Sequence, residues 1–137
     1  MTLVGSASLS PGAGFSVVPG LSTTINVPAG AKVLLSADGG VQTSSNNGSA
    51  YSVVDLALSV DGSLLPGGAG YRRVTAANTN FSLGTATSFA MTAALSVPAG
   101  NHTFSVAAAL HTGSTATVSG DSQSPLQGDF TIVILKQ

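Results

Sequence analysis

Two histidines, five aspartates, four basic residues and two tyrosines carry most of the polar chemistry open to this 137-residue chain. It has no cysteine, glutamate or tryptophan. His102 and His111 fall in one stretch that reads as a strand. Side chains alternate between the two faces of a strand, so His102 shares the face of Phe104 and His111 lies on the other. The two rings are therefore not expected to share a metal ion. Each reads as a rim or edge histidine with a satisfied ring. Only copies of His102 gathered on a threefold axis could supply three ligands.

The carboxylates are scattered. Asp38 and Asp121 stand beside glycine and read as loop residues, and Asp61-Gly62 reads as a hairpin turn. Asp55 falls on the outward side of a strand, and Asp129 opens the last one. Glycoside hydrolysis needs two carboxylates across a sugar, and calcium needs a run of alternating oxygen ligands. Neither pattern occurs, and there is no G-x-S-x-G elbow, phosphate loop or paired-histidine motif. The chain is expected to have no catalytic residues, no metal and no cofactor, and not to be an enzyme.

Tyr71-Arg72-Arg73 lies in a polar, glycine-rich surrounding. It reads as an exposed edge strand guarded by charge. The functional alternative is a partner or glycan contact, with Tyr71 stacking on a sugar face and the arginines binding carboxylates. Tyr51 and the loop before it would extend that surface. Asn47-Gly48-Ser49, Asn80-Phe81-Ser82 and Asn101-His102-Thr103 have the form of glycosylation triplets, but a chain so rich in Asn, Ser and Thr contains them by chance.

Composition constrains the partners. Only 7% of residues are charged and the mean hydropathy is +0.42, against about 25% charged in ordinary soluble domains. Such a surface carries few of the charges that keep monomers apart, so a homo-oligomer or attachment to a larger particle is expected. Four basic residues cannot neutralise a run of phosphates, which argues against nucleic acid. No apolar run is long enough to cross a bilayer, so no membrane insertion is expected. Residues 1–20 lack the basic region and apolar core of a secretory signal.

The elements that must position these residues are strands. Alternation is clear at residues 21–27, 54–60, 89–97 and 102–110, and residues 130–135 are apolar on both faces. Shorter candidates are residues 2–7, 15–18, 32–37, 70–74 and 116–118. Val27-Pro28-Ala29-Gly30 recurs as Val97-Pro98-Ala99-Gly100, each between two strands, and reads as a pair of hairpin turns. Residues 42–50 read as an exposed loop and 85–88 as a polar linker. Eight to ten strands without a helix define an all-β, antiparallel two-sheet sandwich. The length and the missing tryptophan favour a jelly roll over an immunoglobulin fold. A short N-terminal arm, residues 1–20, is expected to precede the domain at 21–137. Cut by Ser10-Pro11-Gly12-Ala13-Gly14, the arm would add to a sheet edge of its own subunit or of a neighbour.

Four stretches together, residues 31–39, 56–62 (ending Val60-Asp61-Gly62), 95–106 (containing Ala99-Gly100-Asn101-His102-Thr103) and 130–135, resemble the trimeric jelly rolls typified by tumour necrosis factor and the complement first-component heads. The resemblance covers roughly residues 21–137. Similar domains form bacterial surface appendages and virus fibre tips or capsid decorations. It implies a trimer, a capsid or fibre protein as partner, and a place on a virion or extracellular surface. Assembly would then use Leu3 and Val4 of the arm and Phe130, Ile132 and Ile134 of the last strand. The rival expectation is a lectin-like module binding a cell-surface glycan through Tyr71, Arg72, Arg73 and Tyr51.

Overall fold

The computed structural model describes residues 1–68, 70–78 and 85–136. The Asn80-Phe81-Ser82 triplet lies outside the described residues. Among the described residues ten strands are formed: β1 (Thr2–Val4), β2 (Ser16–Val27), β3 (Lys32–Thr43), β4 (Tyr51–Val60), β5 (Ser63–Leu64), β6 (Tyr71–Ala77), β7 (Ala86–Leu95), β8 (Gly100–Gly113), β9 (Ala116–Val118) and β10 (Asp129–Leu135). One sheet, here sheet A, runs β1-β10-β3-β7 with β9 also on β3. The other, sheet B, runs β2-β8-β4, with β5 and β6 sharing the far edge of β4. Every pairing is antiparallel. The chain crosses between sheets after β1, β2, β3, β6, β7 and β8, which makes the sandwich a jelly roll.

Alternation explains the core. Leu21 and Val27 of β2, Val33 and Leu35 of β3, Leu56 and Leu58 of β4, Met91 of β7, Phe104 and Val106 of β8, and Phe130 and Ile132 of β10 meet between the sheets. Each lies on the apolar side of its strand's period-two pattern. Ile134 and Leu3 pack against this cluster and are partly buried.

Several expectations need correction. The two Val-Pro-Ala-Gly turns are not hairpins. β2 and β3 lie in different sheets, as do β7 and β8, so both turns carry the chain across the edge of the sandwich. Proline lacks the N–H and glycine takes positive φ (74° at Gly30, 139° at Gly100) in either kind of turn, so the motif alone does not distinguish them. Asp38-Gly39-Gly40 is not a loop but the middle of β3. A Cβ on Gly39 would come within 2.9 Å of the Gly128 Cα and the Phe89 ring, and one on Gly40 within 2.9 Å of the Leu126 Cα. These glycines admit a crossing backbone rather than turn their own. Residues 86–88 belong to β7, not to a linker.

The Asp61-Gly62 turn is as expected, with φ of 52° and 79°. At the N-terminus, β1 pairs with β10 of its own chain, and Met1 exchanges backbone hydrogen bonds with Ile132 at 2.9 and 2.8 Å. β2 runs unbroken through residues 20–21, with a register shift between Val17 and Ser22 where it bends at Pro19-Gly20.

Candidate functional site

The outer face of sheet B holds the chain's main polar cluster. Residues directly opposite in a ladder point to the same face. Register therefore places two rows side by side: Ala109, Asp55 and Arg73, then Val17, Ala107, Ala57 and Tyr71. The sequence pattern put Asp55, Ala57 and Ser59 on the solvent side. They do face away from the core, yet Asp55 is only 6% exposed and Ala57 not at all. The cover comes from the flanks. The ring of Phe15, just before β2, and that of Tyr71 on β6 meet edge-to-face at 5.9 Å. Their strands stand on opposite sides of β8 and β4, so the rings reach toward each other across the small side chains of those two strands. Alanine there leaves room for them. Ser59 and Ser105 complete the floor with a 2.6 Å hydrogen bond.

Asp55 is the centre. Arg73 donates to both of its oxygens, at 2.7 and 2.9 Å. The Arg73 hydrogen bonds hold the carboxyl below its ordinary value, against a desolvation penalty acting upward. Tyr71 also interacts with the carboxylate, and burial raises the phenol's own pKa. A register shift in β8 between the partners of Val53 and Val54 leaves His111 as an extra residue. Its Nδ1 comes to 3.0 Å from the Arg73 guanidinium and 3.7 Å from Asp55. A guanidinium only donates, so Nδ1 accepts in this contact.

The expected partner residues do not form one surface. Tyr71 and Arg73 share the outer face. Arg72 falls on the other side of β6, is exposed, and donates to the Tyr71 carbonyl at 2.9 Å. It is a charge on the inward side of an edge strand, which discourages further strand pairing. Tyr51 lies at the far end of β4, opposite Ala77, whereas Tyr71 is opposite Ala57. Six residues of strand put the two tyrosines roughly 20 Å apart. Phe15, Asp55 and His111 join the site without having been expected there.

His102 lies far from this cluster in its contacts. Its ring sits between Asp61 and the Pro98 carbonyl. Among the described residues, no group of three or more His and Asp side chains could hold a metal ion. A separate open cleft of about 230 Å³ lies beside Asp38, Ser88, Pro125 and Gln127, on sheet A.

No family model and no curated protein matches the chain. Among solved structures it is similar to a family 35 carbohydrate binding module from Clostridium thermocellum, at 14% identity and TM-score 0.35, covering 94% of this chain and 90% of that one. It is also similar to CBM35 from Paenibacillus barcinonensis, at 14% identity and TM-score 0.29, covering 96% and 91%. A third is an exo-beta-1,3-galactanase from Phanerochaete chrysosporium, at 15% identity and TM-score 0.29, of which the match spans 27%. Likeness at this level assigns no ligand to the chain.

Proposed function

We propose that the chain is a non-enzymatic structural subunit that assembles with copies of itself on the surface of a virion or extracellular appendage. The observation that carries this reading is where the exposed apolar side chains fall. Val133 and Leu135 are neighbours on the outer face of sheet A, Val4 lies two rows along the same face, and Met1, paired with Ile132, lies at its edge. The other large exposed ones, Val17, Tyr51 and Leu64, are spread over sheet B. A patch of this kind on a chain with 7% charge favours a protein partner over water. A trimer is the form implied by the family resemblance, with a capsid or fibre protein as the further partner. Light scattering tests the reading. A mass that is a multiple of 13.3 kDa is expected, and a monomer at all concentrations would overturn it.

A second reading places a glycan on the outer face of sheet B. It is favoured by the Phe15–Tyr71 pair standing beside the half-exposed Arg73 side chain. An aromatic edge next to a cation is a surface that a sugar acid can engage. A glycan array should then show binding that Arg73→Ala removes. Absence of binding to acidic glycans would end this reading and leave the first intact.

A further inference from the structure

The outer face of sheet A has a charge pattern that its apolar residues alone do not explain. Register orders that face along β3 and β10 in rows. Lys32 stands beside Leu135, Leu34 beside Val133 and Ala94, Ser36 beside Thr131 and Thr92, and Asp38 beside Asp129 and Ala90. Thr2 and Val4 extend the last two rows onto β1. Of the chain's two lysines, Lys32 stands at one end of the face. Two of its five aspartates stand at the other. Between them there is no charge, only aliphatic and hydroxyl side chains. Thr2–Thr131 and Ser36–Thr92 hydroxyl contacts at 2.9 and 3.4 Å hold the middle row down. Among the described residues, none of Asp38, Asp129 and Lys32 makes a side-chain hydrogen bond or ion pair.

A face that is positive at one end and negative at the other is complementary to itself when turned around. We infer that this face binds a second copy of the chain across a twofold axis, with Lys32 of each copy against Asp38 of the other. The axis lies in the plane of contact, perpendicular to the strands, and crosses β3 between Leu34 and Ser36. It reverses the strand direction, which brings the lysine end of one copy over the aspartate end of its mate. Leu34 and Val133 then lie over the Ser36–Thr131 row, whose threonine methyl groups are apolar. Twofold contacts of this self-matching kind are the commonest in homo-oligomers. Opposite charges at both ends fix the register, because sliding separates the pairs and parallel stacking sets like charges together.

The size of the face limits the affinity. Four strands about 4.8 Å apart and seven residues at about 3.4 Å give a patch of roughly 400 Å² per copy, about 800 Å² in total, below the roughly 1,000 Å² of a stable interface and in the range of weak, transient contacts. The contact should be weak and weaken further as salt screens the end charges. This inference rests on the self-assembly reading and narrows it to one surface and one symmetry. If the resemblance to trimers also holds, the threefold contact uses another surface, and the two together give an even number of copies.

Sedimentation equilibrium on Lys32→Asp and Asp38→Lys tests the arrangement. Both positions are exposed, and unchanged thermal unfolding checks that each variant folds. The wild type should associate in even multiples of 13.3 kDa. Each single variant alone sets like charges together and should lose the twofold association. The two variants mixed in equal amounts should recover it, because each then presents the charge that the other lacks. The double variant should recover it as well. Loss in the singles without recovery in the mixture overturns the inference. So does a wild-type trimer, which leaves self-assembly standing. A wild-type monomer removes both.

Discussion

The His102 ring bridges two turns of the sandwich. Its Nδ1 lies 2.7 Å from Asp61 Oδ2 and its Nε2 3.0 Å from the Pro98 carbonyl oxygen. A carbonyl oxygen and a carboxylate both accept, so both ring nitrogens must carry protons. The ring is an imidazolium in this geometry. The hydrogen bond to Asp61 raises its pKa above the ordinary 6.5, with the Pro98 carbonyl adding to the effect. Asp61 is lowered in turn, by His102 first and then by the Thr103 N–H, which donates to Oδ1 at 2.8 Å. The pair ties the β4–β5 turn to the crossing between β7 and β8.

A pH dependence follows with a definite sign. A histidine whose folded pKa exceeds its unfolded value stabilises the fold fully below about 6.5 and loses that contribution as pH rises through the folded value. The melting temperature should therefore fall on the alkaline side of about pH 6.5. His102→Gln should remove most of that slope. Calorimetry across this range decides it, and an unchanged slope in His102→Gln would refute the imidazolium bridge.

On the acid side the relevant group is Asp55. Arg73 holds it below its ordinary 3.8, so its contribution is present above that value and is lost as pH falls through the folded pKa. Removing the guanidinium leaves a buried carboxylate without its cation. Arg73→Met should raise the Asp55 pKa and move the acid-unfolding midpoint upward. Arg72→Met should do neither, because the Arg72 guanidinium donates to the Tyr71 carbonyl and not to Asp55. Carbon-detected NMR titration of the Asp55 carboxyl reads the shift directly. Equal effects of the two arginine variants would contradict the assigned pairing.

The glycines of β3 test the close approach of the chain that links β9 to β10. Gly40→Ala would put a methyl group 2.7 Å from Leu126 Cδ2 and 2.9 Å from its Cα. Side-chain repacking relieves the first contact and not the second. The expected loss is about 1–3 kcal/mol, as for other overpacking substitutions. Gly12→Ala has nothing within 4 Å and serves as the control. Matching denaturant midpoints for the two would mean that the crossing is looser than described.

The strands were legible in the sequence wherever one side faced the core. Leu21, Leu56, Phe104 and Phe130 all fall on the buried side of their alternation. What alternation does not encode is which strand lies next to which. Val27-Pro28-Ala29-Gly30 has the same local chemistry whether its strands pair or part, and only the packing of two sheets separates the cases. The candidate site was hidden for the same reason. Asp55 and Arg73 are eighteen apart in sequence and become neighbours through the β4–β6 register. A lone carboxylate among Val54, Leu56 and Leu58 was the available signal, because a charge in so apolar a strand needs a partner. Phe15 gave no such signal, since its role depends on Tyr71 reaching it from the opposite side of sheet B.

The last strand offers the sharpest separation of fold from assembly. Ile132 is 2% exposed and lies in the core, whereas its neighbour Val133 is 38% exposed on the outer face of sheet A. The period of two sends adjacent residues to opposite fates. Ile132→Ala should cost about 2–5 kcal/mol through lost transfer energy and the cavity left behind. Ile132→Asp should prevent folding, because the charge would have no partner between the sheets. Val133→Asp places the same charge in water and should leave the melting temperature nearly unchanged. It also adds a negative charge to the uncharged middle of that face, so it should weaken self-association. Unfolding and sedimentation measured on the same three variants separate the two effects. A Val133→Asp protein that melts normally and still associates as the wild type does would move assembly off sheet A. An Ile132→Asp protein that folds would displace β10 from the core.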